Sequence, residues 1–178
     1  MEKSSENIKG NRTGSVKLAV ITCAVLESEI DEFRKDMDHI VHVEILRQGL
    51  HNEPDELRKQ VQAAITQIED TRDQVEAIVL GYGLCSRGTE GLVASRCQLV
   101  MARAHDCITL LLGCKDRYAQ YVKKNPGTYW YSPGWNRHHI PPGRQRYEKL
   151  YAQYLEKYGQ ENAEFLMETE QHWFKEYD

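Results

Sequence analysis

An α/β fold is the class this sequence predicts: an open, mainly parallel sheet of about four strands with helices on both faces, followed by a helical C-terminal extension. Three observations point to it. Apolar runs with β-branched residues recur at Val16 to Thr22, Val75 to Leu80 and Leu99 to Ala102, continuous enough to suit strands covered on both faces. Val41, Val43 and Ile45 alternate with polar positions, as a more exposed strand would. Between the runs, apolar residues return at helical spacing, and parallel strands require crossovers of that kind, wound right-handed.

The first run passes into Leu26, Ile30 and Phe33, the apolar positions of an amphipathic helix. Gln48-Gly49 interrupts the second strand. Asn52-Glu53-Pro54 then reads as a helix start, with Asn52 or Glu53 near the cap, Pro54 in the first turn, and Leu57, Val61, Ala64, Ile65 and Ile68 as the apolar stripe. The third strand runs directly into Gly81-Tyr82-Gly83-Leu84-Cys85-Ser86-Arg87-Gly88. After the fourth, Ala104-His105-Asp106 turns the chain into a helix from Cys107 to Gly113, with Asp106 as N-cap. Pro126 to Trp135 is an aromatic loop rich in turn formers. Tyr147, Leu150, Tyr151, Tyr154, Leu155 and Tyr158 predict a helix stopped by Gly159, with one more helix beyond it.

With 178 residues the chain suits one domain, expected over 16–178, of which 125–178 form the aromatic loop and helical extension. Residues 1–15 are polar and read as a disordered tail or an expression remnant, without the apolar core of a signal peptide. The 23 Lys and Arg are scattered among 27 Asp and Glu, a net charge of −4, so no basic stripe invites a nucleic acid. The longest apolar run, Leu18 to Leu26, is about half of what spans a bilayer. A cytoplasmic protein without membrane attachment is expected. Five cysteines, an odd number in a chain with no mark of secretion, argue against a disulfide framework and leave each thiol to be explained as packing, nucleophile or metal ligand.

In open parallel sheets ligands gather outside the carboxyl ends of the strands. Cys23 closes the first strand, Cys85 sits in the glycine loop after the third, and Cys107 opens the helix after the fourth. The same step, strand into helix, should deliver all three to one rim. A helix N-terminus is further expected to lower the pKa of Cys107. Three soft sulfurs suit zinc or an iron-sulfur cluster better than magnesium or calcium, and His105 could add a fourth ligand or a proton. Against this stand the ordinary burial of free cysteine as a small hydrophobe and the absence of any C-x-x-C pair. Cys97 precedes its strand and is assigned to packing. Cys114 lies two turns beyond Cys107 on the expected helix, too far along to join the site.

Other motifs carry less. Gly83 to Gly88 has P-loop spacing, but Thr89 stands where the lysine should be, so the glycines, Gly83 among them, more simply let the backbone approach whatever Cys85 holds. Arg87 and Arg103 could bind an anionic substrate, or else form ordinary salt bridges at a strand edge. Tyr129, Trp130, Tyr131 and Trp135 could line a pocket for a flat or methylated ligand, or simply seal the core. A Cys107-His105-Asp106 triad would need immediate neighbours to meet in an order that a turn seldom permits. His138-His139 before Ile-Pro-Pro-Gly reads as a solvated turn.

The strings Leu46 to Asn52, Gly81 to Cys85, Arg103 to Gly113 and Gly127 to Trp135 resemble a family catalogued as a domain of unknown function, found largely in methanogens and other anaerobes and often encoded near corrinoid-dependent methyltransferases and their reductive activators. The resemblance covers nearly everything from Val16 to the C-terminal helix. It brings no settled activity. Its anaerobic setting implies low-potential electron chemistry, which favours an iron-sulfur centre over zinc. The expectation is therefore a cytoplasmic metalloprotein with Cys23, Cys85, Cys107 and possible fourth ligand His105, linked to corrinoid-dependent methyl transfer or its electron supply, with corrinoid methyltransferase proteins or an electron donor as partners. Two alternatives remain open: a metal-free module binding a small molecule or corrinoid, and an enzyme with a cysteine nucleophile.

Overall fold

The computed structural model describes residues 15–140 and 143–175; the expected N-terminal tail, apart from Ser15, and the Pro141-Pro142 pair lie outside them. Strands β1 (Leu18–Cys23), β2 (Ile40–Leu46), β3 (Ala77–Gly81) and β4 (Gln98–Met101) form one sheet in the order β2-β1-β3-β4, every neighbouring pair parallel. The two central strands are the continuous apolar runs, because only a strand covered on both faces can be apolar at successive positions: Ala19, Val20 and Ile21 of β1 and Ala77 and Ile78 of β3 are buried. From β1 the chain moves outward to β2 through α1 (Glu27–Arg34). From β2 it returns past β1 to β3 through α2 (Pro54–Thr71). The direction of winding therefore reverses between β1 and β3, and a crevice opens at such a point outside the carboxyl ends of the strands.

Helix α2 forms where the stripe was expected, with Pro54 in its first turn and Leu57, Val61, Ala64, Ile65 and Ile68 buried in one cluster with Ala19, Ile21, Ile78 and Leu80. Each leucine, valine or isoleucine among them stabilises the fold by roughly 1.5–3 kcal/mol. The first helix differs from expectation. A single 3-10 turn, Ala24–Leu26, buries all three of its residues, whereas α1 itself buries none and leaves Phe33 58% exposed. The helix predicted from Cys107 to Gly113 forms, but Cys114, expected on the same helix two turns on, is not part of it. Gly113 adopts the left-handed conformation (φ 70°) and stops α3 at Cys107–Leu112, and Cys114 becomes the N-cap of a separate helix, α4 (Lys115–Lys124). Cys114 thus does not share a helix with Cys107. Helices α5 (Pro133–His138), α6 (Arg144–Tyr158) and α7 (Gln160–Lys175) complete the chain, with Gly159 (φ 78°) separating the last two, which pack on each other. Among the described residues no helix is long and apolar enough to cross a membrane.

The β3-to-β4 crossover, residues 82–97, contains neither helix nor strand, so it needs an anchor in place of helical packing. Glu69 on α2 supplies one: its carboxylate accepts backbone N-H bonds from Ser95 (3.0 Å) and Cys97 (2.8 Å), and also from Arg96. The guanidinium of Arg96 in turn donates to the carbonyls of Glu69, Arg72, Asp73 and Val75. The Ser95 N-H first, with those of Cys97 and Arg96, holds the Glu69 carboxyl down to about 2. A depressed carboxyl contributes stability above its ordinary pKa and loses it as pH falls toward the folded value. Glu69→Gln is accordingly expected to lower stability at neutral pH by ~1 kcal/mol, the partial exposure of the group having been discounted. It should also flatten the loss of stability between about pH 5 and pH 2, read as urea midpoints across that range. An unchanged acid slope in the variant would remove Glu69 as the anchor.

Candidate functional site

Cys23 is the last residue of β1, Cys85 lies in the glycine loop four residues past β3, and Cys107 is the first residue of α3. Backbone pairing continues beyond the strands that carry two of them. Leu84 N donates to Ala104 O and Cys85 N to His105 O, each at 3.0 Å, so the loop after β3 stays laced to the turn before α3. Gly83 makes this approach possible: a Cβ there would stand 2.5 Å from Asp106 N and 2.7 Å from His105 C. The loop then folds on itself, with Thr89 Oγ1 donating to Gly83 O (3.1 Å) and Gly88 N to Cys85 O (3.0 Å). Cys85, Ser86 and Arg87 all have left-handed backbones (φ 44°, 58° and 66°), a conformation costing non-glycine residues ~1 kcal/mol or more each. Three in succession at a site-bearing cysteine mark a segment whose shape is imposed by its surroundings. Asp106 caps α3 as predicted, accepting from Thr109 N (2.8 Å) and Thr109 Oγ1 (2.9 Å).

These elements enclose a cavity of about 370 Å³ at the β1/β3 rim, with Cys23, Cys85, Cys107, His105 and Gly83 all among its lining residues. The far wall is aromatic. Gly134, the second residue of α5, sits so close to the Val25 carbonyl that no side chain fits between them, and this contact carries Trp135 into the cavity. Ser132 caps that helix by accepting from Trp135 N (3.0 Å). Trp130, the other aromatic wall, is held between Tyr118 and Tyr121 of α4 at 5.7 and 5.8 Å.

Burial decides the protonation of the thiols. It pushes the Cys107 thiol up to about 11, with the neighbouring Cys85, Cys23 and Asp106 adding to the rise. Burial likewise raises Cys85, with Cys23 and Asp106 contributing against the lowering N-H of Gly83, and it raises Cys23 against the lowering N-H of Val25. The expected lowering at the helix N-terminus is thus overturned: α3 has six residues, and desolvation outweighs its dipole. Metal-free, all three thiols stay protonated at neutral pH and are poor nucleophiles. Iodoacetamide at pH 7.5 should therefore modify the exposed Cys114 before Cys107, and Cys107 should become reactive only as pH rises toward 11, followed by peptide mapping. Faster labelling of Cys107 than of Cys114 at pH 7.5 would show an activated thiol instead.

Two further residues at the cavity were not singled out from the sequence. Tyr82 is 4% exposed, and its enclosed hydroxyl has no hydrogen-bond partner; Gln48 Oε1 is enclosed and unpartnered in the same way. Burial first, then Cys23 and Cys85, raises the Tyr82 phenol far above its ordinary value. The signal that could have found Gln48 is the one that found Cys23, since it lies just past the carboxyl end of β2; Tyr82 stands between two glycines whose close approaches bury it.

Other residues proposed for substrate lie elsewhere. The Arg87 side chain is 78% exposed and pairs with Glu90 at 2.9 Å, and Arg103 is exposed and does not line the cavity. Tyr129 is 61% exposed and stacks on Tyr131 at 5.8 Å, outside the cavity wall. Cys97 is buried at the opposite end of the sheet, its thiol donating to Val75 O. His138 approaches Glu27 at 3.4 Å and His139 packs on Trp135. Among the described residues no group of three or more His, Cys, Asp or Glu side chains is placed to hold a metal ion.

Residues 45–178 match the family described as "Protein of unknown function (DUF1638)". No curated protein and no solved structure matches the chain.

Proposed function

The chain belongs to the DUF1638 family, and from the convergence of its cysteines we propose that it is a cytoplasmic protein holding an iron-sulfur cluster through Cys23, Cys85 and Cys107. The observation that carries this reading is that three thiols from three separate elements line one cavity at the point where the sheet reverses its winding. Thiolates of this number and softness suit iron-sulfur or zinc chemistry. A cluster is favoured over zinc by the anaerobic setting that the family resemblance implies. Coordination by cationic metal also offsets what keeps these thiols protonated, since a coordinating thiol is deprotonated outright. Tyr82 brings an unused O-H donor beside them. Three cysteines leave one position for His105, which lines the same cavity, or for an incoming molecule.

The link to corrinoid-dependent methyl transfer or its electron supply, with a corrinoid methyltransferase protein or an electron donor as partner, belongs to this proposal and is supported by the family resemblance alone. A metal-free binding module is the second reading, favoured by the unpartnered Gln48 oxygen and the tryptophan wall; its ligand could be a small molecule or a corrinoid. The cysteine-nucleophile reading is disfavoured by the raised thiols. Anaerobic purification and reconstitution, followed by iron, acid-labile sulfide and zinc analysis, separates them. A brown protein with stoichiometric iron and sulfide is expected. A colourless protein that takes up neither iron nor zinc would overturn the metal reading in favour of the binding module.

A further inference from the structure

The wall formed by Trp130 and Trp135 has space on both sides. Beyond it lies a second cavity, of about 300 Å³, which shares Cys107, Ile108 and both tryptophans with the first. Tyr131 joins them there, meeting Trp135 edge to face at 5.1 Å, and Leu111 adds an apolar side. One lining side chain is charged: Glu29 of α1. Its Oε2 is enclosed and has no hydrogen-bond partner. Of the basic side chains nearby, Arg137 and His138 approach Glu27, at 3.6 and 3.4 Å, and Arg146 acts on Tyr131. Among the described residues no lysine or arginine lines the cavity.

A carboxylate oxygen set without a partner among aromatic and aliphatic walls is costly until a cation meets it. The form of that cation follows from the walls. Apart from Glu29 and the Cys107 thiol the lining side chains are aromatic or aliphatic, and Ser132 Oγ already accepts a hydrogen bond as a cap. An ammonium with several N-H groups would leave donors unsatisfied there, whereas a charge spread over methyl groups is stabilised by aromatic faces. We propose that this cavity binds a small methylated ammonium cation, with Glu29 opposing its charge and Trp130, Tyr131 and Trp135 enclosing its methyl groups. The inference goes beyond the cluster reading and stands without it, because Glu29 and Tyr131 lie outside the first cavity.

The test titrates the purified full chain with tetramethylammonium, choline and 3,3-dimethyl-1-butanol, the uncharged isostere of choline, by calorimetry and tryptophan fluorescence. Both cations should bind saturably, and the alcohol at least tenfold more weakly than choline. Glu29→Gln, which keeps shape and removes charge, should lose at least tenfold in choline affinity while its melting temperature holds or rises. Tyr131→Ala should weaken both cations. Iron content measured on the same samples should be unchanged in both variants, so a failure of the cluster reading is seen separately. Equal binding of choline and the alcohol, an unaltered Glu29→Gln affinity, or no saturable response to either cation overturns the proposal.

Discussion

Gly83→Ala is expected to lower stability by about 2–3 kcal/mol and the melting temperature by roughly 5–10 °C, and to abolish cluster incorporation. The backbone at Gly83 is not left-handed, so the effect comes from space alone. An added methyl would meet Asp106 N at 2.5 Å, His105 C at 2.7 Å and Ala104 O at 2.9 Å. All three are backbone atoms, which cannot swing aside as the end of a flexible side chain can. The lesion would therefore push the glycine loop away from the turn before α3 and strain the two bonds, Leu84 N to Ala104 O and Cys85 N to His105 O, that hold Cys85 near Cys107. Gly91→Ala is the control. Gly91 has φ 75° with open space around it, so alanine there costs only conformational strain, ~1 kcal/mol, and should leave the cluster in place. Thermal melts and iron content of the two variants check the argument, and comparable losses in both would show that close packing at Gly83 is not what assembles the rim.

The residues that bring the thiols to one rim are local in sequence, and for that reason they were legible. Continuous apolar runs identify β1 and β3 as covered strands, and the step from strand to helix then puts Cys23, Cys85 and Cys107 at carboxyl ends. The end of α3 at Gly113 was legible too, but that Cys114 would then cap a separate helix was not, because that depends on how α4 packs. Side-chain direction was beyond reach: Arg87 is as close to Cys85 in the chain as His105 is to Cys107, yet Arg87 is exposed and paired with Glu90 while His105 lines the cavity. The protonation of Cys107 failed for a related reason. A helix N-terminus can be read from Asp106 and Cys107, but burial by Trp130 and Trp135, more than twenty residues away, cannot. Gln48, Tyr82 and Glu29 went unnoticed because a missing hydrogen-bond partner exists only once the fold has closed around the group.

Removing any one of Cys23, Cys85 or Cys107 as alanine should reduce iron per chain at least tenfold after anaerobic reconstitution, whereas Cys97→Ala and Cys114→Ala should retain the wild-type content. The contrast rests on location. The first three share a cavity, Cys97 is buried at the other end of the sheet with its thiol on Val75 O, and Cys114 is exposed at the start of α4. Loss at each of the three positions is the signature of a common centre, because a site ligated by a pair would spare one of them. Cys23 and Cys85 pack against the hydrophobic core, so truncation removes some packing there, and the metal-free form of each variant serves as its own stability reference. Binding that favours the folded state raises the melting temperature by mass action. Each of the three variants should therefore gain nothing on reconstitution, whereas the wild type should melt higher once reconstituted. His105→Ala separates the fourth position: a changed cluster spectrum at retained iron identifies His105 as a ligand, and an unchanged spectrum leaves that position facing the cavity. If all three alanine variants keep full iron, the sulfurs share a cavity without sharing a centre.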